Sequence, residues 1–278
     1  MKQAPRLLTI LLFYCFLFSC QKQLKEPIAT PISYDVDAQK FIDSSNISDT
    51  VYKSGLSNFV KQLKDSSLWQ KFAAIYPMVG GSSSSASYNL KDPINSDSAY
   101  RLTFSGAPVF GSSGVLFPSI NDYANTHFTD SVLIYNNNSL SYYSLTQNTV
   151  DGYDIGCSDY KQYYNEFAIY NSMDASNWFG YYRYGLMPSS TIGLFMLSST
   201  ATDVKRYENG VVKDSKGSAP TTGYTDDPIL VGYVQGAVSG GKRECALATI
   251  GQGLSDAEAL TFYNIVLKFE KTIGRWSG

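Results

Sequence analysis

The feature that most constrains this chain is a series of short segments between Arg101 and Ile250, separated by turn residues about every ten residues. These segments are rich in Val, Ile, Tyr, Phe and Thr, which favour strands. Many short strands of this spacing indicate a β-sandwich. The predicted strands are Arg101–Ser105, Ser131–Tyr135, Leu140–Thr146, Glu166–Tyr170, Trp178–Tyr184, Ile192–Ser198, Val204–Glu208, Val211–Asp214, Ile229–Val234 and Glu244–Ile250.

One turn in the series is specified by its residue types. Asn209 and Gly210 stand between two strand segments. Both residues accept the positive φ that a type I′ turn requires at its two central positions. The sequence therefore predicts a tight hairpin over Tyr207–Val212.

A helical pattern precedes the strands. One helix is expected around Phe41, a second has Ser48 or Asp49 as its N-cap, and a further turn or two is expected around Trp69. The run Gly80–Ser85 then breaks the pattern, as a linker between domains or as a loop within one. A loop is favoured, because about 40 helical residues are too few to hold a core alone. The apolar stripe of the second helix is Tyr52, Leu56, Phe59, Val60 and Leu63.

A single amphipathic helix is predicted after the strands, from about Asp256 to Thr272. Ser255 and Glu258 have the spacing of a capping box, in which each side chain bonds the other residue's backbone N–H. The apolar face of this closing helix is Ala259, Phe262, Val266, Phe269 and Ile273.

The first twenty residues have the pattern of an export signal. Lys2 and Arg6 precede the apolar run Leu7–Ser19, whose 13 residues are too few to span a membrane. The run ends in Leu17–Cys20, which resembles the lipobox of bacterial lipoproteins; an ordinary signal peptide is the alternative. We expect a signal peptide over 1–19, lipid on Cys20, and a polar tether over 20–34. Several acyl chains would hold the chain at the outer membrane or cell surface.

Charge and cysteine content narrow the partners. Without Lys2 and Arg6, 20 basic residues stand against 24 acidic ones, with no basic block, so nucleic-acid binding is not expected. Once the signal is cleaved and Cys20 is acylated, Cys157 and Cys245 remain. They form either one disulfide or two separate buried thiols.

Several motifs resemble the end of concanavalin A-like and laminin G-like jelly-roll domains. They are Glu208–Val212, Ile229–Gly232 and the run Ala248–Ala259. The strings Tyr76–Gly81 and Asn89–Pro93 also resemble uncharacterised proteins of phages and Bacteroidetes. The resemblance covers about residues 50 to 276. It implies a mostly β protein, a jelly-roll β-sandwich over 81–278 with an N-terminal helical lead-in over 35–80 and a C-terminal amphipathic helix. Such a fold does not specify a function.

Catalytic patterns are weak. His127 is the one histidine, and no Gly-x-Ser-x-Gly elbow is present. Gly236–Lys242 imitates a phosphate-binding loop, but Arg243 follows where Ser or Thr would be needed, and a strand rather than a helix is predicted next. We interpret this segment as a glycine-rich turn.

Jelly-roll glycoside hydrolases of the laminarinase type need two carboxyl groups about 5–5.5 Å apart. Their Glu-x-Asp-x-Glu pattern is missing, since Glu166, Glu208 and Glu244 are far apart in sequence. Asp151 and Asp154 are placed around a turn. We therefore expect no catalysis of this kind.

The best sequence candidate for ligand binding is the strand Trp178–Tyr184. Alternation places Trp178, Tyr182 and Tyr184 on one face, as a platform for sugar rings or as core. The laminin G-like resemblance implies calcium, to which Asp226 and Asp227 would contribute oxygens; a solvated acidic turn is the alternative.

The leading hypothesis is a non-catalytic, lipid-anchored recognition module that binds a glycan or a surface protein. The alternatives are a structural or assembly protein and, third, a glycoside hydrolase.

Overall fold

The computed structural model describes residues 33–134, 136–148, 150–158, 166–171, 185–186, 191–217, 226–237 and 240–276. The helices are α1 Val36–Ser45, α2 Thr50–Asp65, α3 Ser83–Ala86 and α4 Asp256–Thr272. The strands are β1 Phe72–Tyr76, β2 Thr103–Ser105, β3 Val109–Phe110, β4 Val115–Leu116, β5 Tyr123–Thr129, β6 Asn138–Ser144, β7 Gly152–Ser158, β8 Glu166–Asn171, β9 Gly185–Leu186, β10 Gly193–Ser199, β11 Asp203–Glu208, β12 Val211–Gly217, β13 Pro228–Val231 and β14 Glu244–Gly251. Within these ranges, no helix is both long enough and apolar enough to cross a membrane.

The strands form two sheets. The larger has the order β12-β11-β10-β6-β14-β4-β3, and β1 pairs with the end of β14 beyond β4. The smaller has the order β2-β5-β13-β7-β8-β9. The chain crosses between them repeatedly, since β5, β7 and β13 lie in the smaller sheet and β6, β10 and β14 in the larger one. The predicted fold class, a jelly-roll β-sandwich with an N-terminal helical lead-in and a C-terminal amphipathic helix, is confirmed.

The larger sheet is covered on both faces, so β6 and β10 are buried along their whole length. Alternate residues point to opposite faces of a strand, and two cores result. The core between the sheets includes Phe117, Phe128, Tyr142, Ile155, Phe167 and Phe195. The core under the helices includes Phe41, Leu56, Phe59, Tyr143, Leu194 and Phe262. The molecule therefore has three layers, with the helices outside the larger sheet.

The predicted caps and faces of the long helices are confirmed. The side chain of Asp49 accepts hydrogen bonds from Val51 N and Tyr52 N at the start of α2. At α4, Ser255 and Glu258 form the reciprocal capping box. The five residues of the predicted α4 face are buried. On α2, Tyr52 alone of the predicted stripe is only half-buried.

The predicted hairpin is confirmed, because Asn209 and Gly210 have φ values of 52° and 76° between β11 and β12. Two local predictions are wrong. The predicted strand at Ser131–Tyr135 begins as a 3-10 turn over Asp130–Val132, where the chain crosses from the smaller to the larger sheet. The turn or two expected around Trp69 is present as one 3-10 turn, but the predicted helical lead-in over 35–80 then contains the strand β1.

Cys157 and Cys245 are both buried, and no disulfide joins them. This matches the alternative of two separate thiols. Cys157 lies in β7 of the smaller sheet, and Cys245 lies in β14 of the larger one.

A buried arginine fixes the end of the chain. The Arg275 guanidinium contacts both carboxylate oxygens of Glu270, at 2.7 and 2.8 Å. It also donates to the backbone carbonyls of Pro77, Met78 and Ala246 at 3.0–3.1 Å. Burial raises the pKa of Glu270, and the Arg275 charge opposes that effect. The pair joins α4, β14 and the segment after β1.

The packing of α4 gives a stability prediction. Phe269 stacks on Phe59 of α2, with ring centroids 4.8 Å apart. Phe269→Ala should cost about 3–5 kcal/mol in free energy of unfolding, because a cavity would remain between the helices. Leu260→Ala on the exposed side of α4 is the matched control and should change little. Urea denaturation measures the free energy of unfolding of both variants. If Phe269→Ala changed it as little as the control does, α4 would be peripheral.

The Arg275–Glu270 pair gives a pH prediction. Arg275→Met leaves the Glu270 carboxylate buried alone and should cost about 3–5 kcal/mol near pH 8. The folded-state pKa of Glu270 would then lie further above its unfolded value. A carboxyl group with a raised folded pKa contributes stability that is lost as pH rises, so the variant should recover stability as pH falls toward about 5.

Thermal melting at several pH values tests this, with Lys268→Met as the control, since Lys268 is an exposed cation on the same helix. A loss of stability in Arg275→Met that does not vary with pH would contradict the role assigned to Glu270.

Candidate functional site

The residues predicted for ligand binding and lipidation fall outside the described part of the chain. This applies to Trp178, Tyr182, Tyr184 and Cys20. They stay predictions.

Asp226 and Asp227 precede β13; Asp226 is exposed and Asp227 is half-buried. Across the described ranges, no group of three or more His, Cys, Asp or Glu side chains is placed to hold a metal ion. The calcium hypothesis for these two residues therefore also stays a prediction.

The segment that imitates a phosphate-binding loop connects two strands. It runs from β13 to β14, with residues 238–239 outside the description. Gly241 N donates to the Tyr153 carbonyl at 2.8 Å, and the buried Arg243 forms an ion pair with Asp154 at 3.0 Å. Asp154 lies inside β7, so placing it around a turn was wrong; its carboxylate compensates the Arg243 charge in the interior.

His127 lies on β5 with φ of 56°. Its Nε2 is 2.8 Å from Thr103 Oγ1 and 3.4 Å from a carboxylate oxygen of Asp97. Its backbone N–H donates to the side chain of Asn125. These are local contacts at the edge of the smaller sheet.

A groove at one end of the helical layer is the candidate site. Its first part, which we call the serine cleft, has a volume of about 470 Å³. The serine cleft is lined by Ser45, Asn46, Ile47, Ser48, Asp49, Tyr52, Gly80, Gly81, Ser82, Ser84, Ser85 and Ser112. Six of these twelve lining residues are serines, and Asn46 adds an amide, so hydroxyl and amide groups lie among apolar surface.

The second part, the tryptophan cleft, has a volume of about 420 Å³. It shares Tyr52 and Ser112 with the serine cleft, so the two clefts adjoin at these residues, and we call the pair the groove. The tryptophan cleft is lined by Tyr52, Ser112, Ser113, Leu145, Glu244, Ile273, Gly274, Arg275 and Trp276.

Turn chemistry shapes the serine cleft. Gly80 and Gly81 have φ values of 87° and 65°, a conformation that glycine adopts without strain. They turn the chain so that Ser82 caps α3 and exchanges hydrogen bonds with Ser85. The run Gly80–Ser85 is thus a turn that continues into α3 within the compact unit Tyr34–Gly278, and it forms one wall of the cleft.

Tyr52 stands where the two clefts meet. It projects from the first turn of α2, whose start is fixed by the Asp49 cap. Its hydroxyl donates to the Ser112 carbonyl at 3.0 Å. This bond ties α2 to the connection between β3 and β4 and leaves the Tyr52 ring half-buried between the clefts.

Trp276 provides the exposed aromatic surface of the groove. Its side chain remains 43% exposed, although it follows the buried Arg275 directly. The ammonium of Lys271 lies 4.1 Å from the Trp276 ring centroid, a cation–π contact that restrains the ring. The lysine lies over one face of the ring, and an exposed indole face is of the kind on which apolar faces of ligands stack.

Glu244 is the carboxylate among the described residues that line the tryptophan cleft. Its Oε1 accepts a hydrogen bond from Ser113 at 2.5 Å. Its backbone N–H donates to Thr146 Oγ1 and its carbonyl accepts from Leu145 N. Glu244 is therefore held from three directions at the start of β14.

Sequence reasoning missed this groove. Tyr52 was assigned to the apolar stripe of α2, and Glu244 was considered only as half of a catalytic pair. One signal was available: Trp276 is a large aromatic just after the end of an amphipathic helix, off its apolar face.

No protein-family model matches the sequence, and no curated protein sequence matches it. Domain 4 of AbnA, a GH43 extracellular arabinanase from Geobacillus stearothermophilus solved with arabinotriose, is similar in structure. Its TM-score is 0.43 at 16% identity, over 69% of this chain and 98% of that one.

The botulinum neurotoxin serotype D ligand binding domain with N-acetylneuraminic acid has a TM-score of 0.41 at 12% identity, over 72% of this chain and 52% of that one. A Trypanosoma rangeli sialidase mutant with trans-sialidase activity has a TM-score of 0.47 at 9% identity, over 77% of this chain and 39% of that one. This chain thus spans about half or less of those two proteins. At such identities and TM-scores, these similarities carry no information about function.

Proposed function

We propose that this protein is a non-catalytic glycan-binding module, anchored to a membrane through acylated Cys20, with the groove as its binding site. The observation that carries the proposal is Trp276, an exposed and restrained indole in a groove whose other lining includes several serines, one amide and two carboxylates. Sugars present apolar C–H faces and many hydroxyl groups, so an aromatic surface flanked by hydrogen-bonding groups suits them.

The size of the groove supports an oligosaccharide rather than a single sugar. Each of the two clefts has a volume within the usual range for small-molecule sites, about 300–1,000 Å³. Tyr52 and Ser112 line both, so a ligand long enough to reach from Trp276 to the Gly80–Ser85 wall would pass over them. Tyr52 would then contact the middle of the chain of sugars.

The position of the groove is compatible with an anchor. The tether over 20–34 leads to Asp35, which caps α1 and contacts Lys64 at 2.8 Å. Ser45 and Asn46 of the serine cleft lie at the other end of α1, about 15 Å further along the helix axis. The groove therefore does not coincide with the point where the tether joins the domain.

A first prediction concerns Trp276. Trp276→Ala should weaken binding of a glycan identified on an array by roughly 5- to 150-fold, about 1–3 kcal/mol by analogy with base stacking. The melting temperature should stay the same, because the side chain is half exposed. Isothermal titration calorimetry on the domain without its signal measures the affinity.

Trp178→Ala, measured in parallel, tests the strand favoured from the sequence. If Trp178→Ala removes binding and Trp276→Ala does not, the glycan site lies on the Trp178–Tyr184 strand. A structural or assembly protein would bind no glycan on the array. Release of reducing ends from a polysaccharide, abolished by one Asp or Glu substitution, would instead support the hydrolase alternative.

A second prediction concerns the anchor. Cys20→Ala removes the thiol that receives the lipid, so the variant should accumulate as a precursor with residues 1–19 still attached. Mass spectrometry of the membrane and soluble fractions distinguishes the forms. Normal cleavage and release of the variant would show an ordinary signal peptide.

A further inference from the structure

We infer that the groove selects neutral glycans over anionic ones, with the Glu244 carboxylate as the acceptor for sugar hydroxyl groups. This inference rests on the proposed function and names the ligand class of the same site. It depends on three features. Glu244 has a fixed position, no cation is available among the described lining residues, and Asp49 adds a second carboxylate to the groove.

Glu244 is preorganised to accept hydrogen bonds. Its backbone is held by Thr146 and Leu145, and Ser113 orients the carboxylate through Oε1. Among the described residues, no hydrogen bond to Oε2 is present, and the side chain is partly exposed in the tryptophan cleft. A fixed carboxylate beside an aromatic ring accepts charge-assisted hydrogen bonds from the hydroxyl groups of a sugar stacked on that ring.

Among the described lining residues, the one cation is Arg275, and its charge is already paired. Arg275 lines the tryptophan cleft, but its guanidinium is buried and bonds Glu270 and three backbone carbonyls. Lys271 lies over the Trp276 ring and is not among the lining residues. Arg275 is therefore not available to pair with a ligand carboxylate or sulfate.

Each of the two clefts is lined by one carboxylate. Asp49 lines the serine cleft while its side chain caps α2, and Glu244 lines the tryptophan cleft. An anionic sugar in either cleft would face a like charge, and this repulsion would weaken its binding relative to that of a neutral sugar. A neutral sugar meets no such repulsion.

The experiment uses the full mature domain and a glycan array that carries each backbone in neutral, sialylated, sulfated and uronic-acid forms. The wild-type protein should bind neutral members in preference to their acidic counterparts. Glu244→Gln should weaken binding of the best neutral ligand roughly tenfold, because an amide oxygen is a weaker acceptor than a carboxylate. The same variant should narrow the gap between neutral and acidic forms.

Asp214→Asn is the matched control. It makes the same chemical change on the exposed edge strand β12, four strands from β14 in the larger sheet, and should leave both affinities unchanged. Unchanged melting temperatures for the two variants would exclude a folding effect.

The outcomes separate the two proposals. Preference for acidic glycans that is lost in Trp276→Ala would overturn the neutral class while supporting glycan binding in the groove. Neutral binding unaffected by Glu244→Gln would overturn the role of Glu244. Binding of no glycan, or binding that does not depend on Trp276, would overturn the proposed function and this inference with it.

Discussion

The buried Arg275 guanidinium is the interaction on which the groove depends. It joins three elements that are distant in sequence, because its partners lie on α4, on β14 and in the segment after β1. Pro77 and Met78 lead directly into Gly80 and Gly81 of the serine cleft, while Trp276 follows Arg275 in the tryptophan cleft. One side chain is therefore bonded to segments that lead into both ends of the groove. Its charge is paired with Glu270, so little net positive charge remains at the binding surface.

Much of the fold was predictable where short-range chemistry decides the structure. The α4 capping box, the Asp49 cap and the Asn209–Gly210 turn depend on residues within a few positions of each other. The Asn209 side chain also accepts a hydrogen bond from Leu194 N, so the turn residue is tied to the neighbouring strand as well. Each of these signals has one structural solution, and the structure adopts it.

The elements that were missed depend on long-range contacts. β7 contains two glycines and Asp154, a composition that suggests a turn, yet it is buried because Asp154 pairs with Arg243 about ninety residues later. β1 followed a helical pattern and became a strand because β14 offers it a pairing edge. That edge is completed by a side chain, since Asn89 accepts from Ile75 N and donates to the Ala73 carbonyl. Sequence windows of ordinary length contain none of these partners.

The candidate site was harder to predict than the fold because no single segment contains it. A search for aromatic density leads to Trp178–Tyr184, where several rings stand close in sequence. The groove instead takes one ring from α2 and one from the end of the chain, with hydroxyl groups from two connections and a carboxylate from β14. Tyr52 illustrates the difficulty: its helical spacing correctly places it on the apolar face, but it stands where that face ends. Residues at the rim of a core carry the same periodicity as residues inside it, so only the packed structure distinguishes a binding surface from the interior.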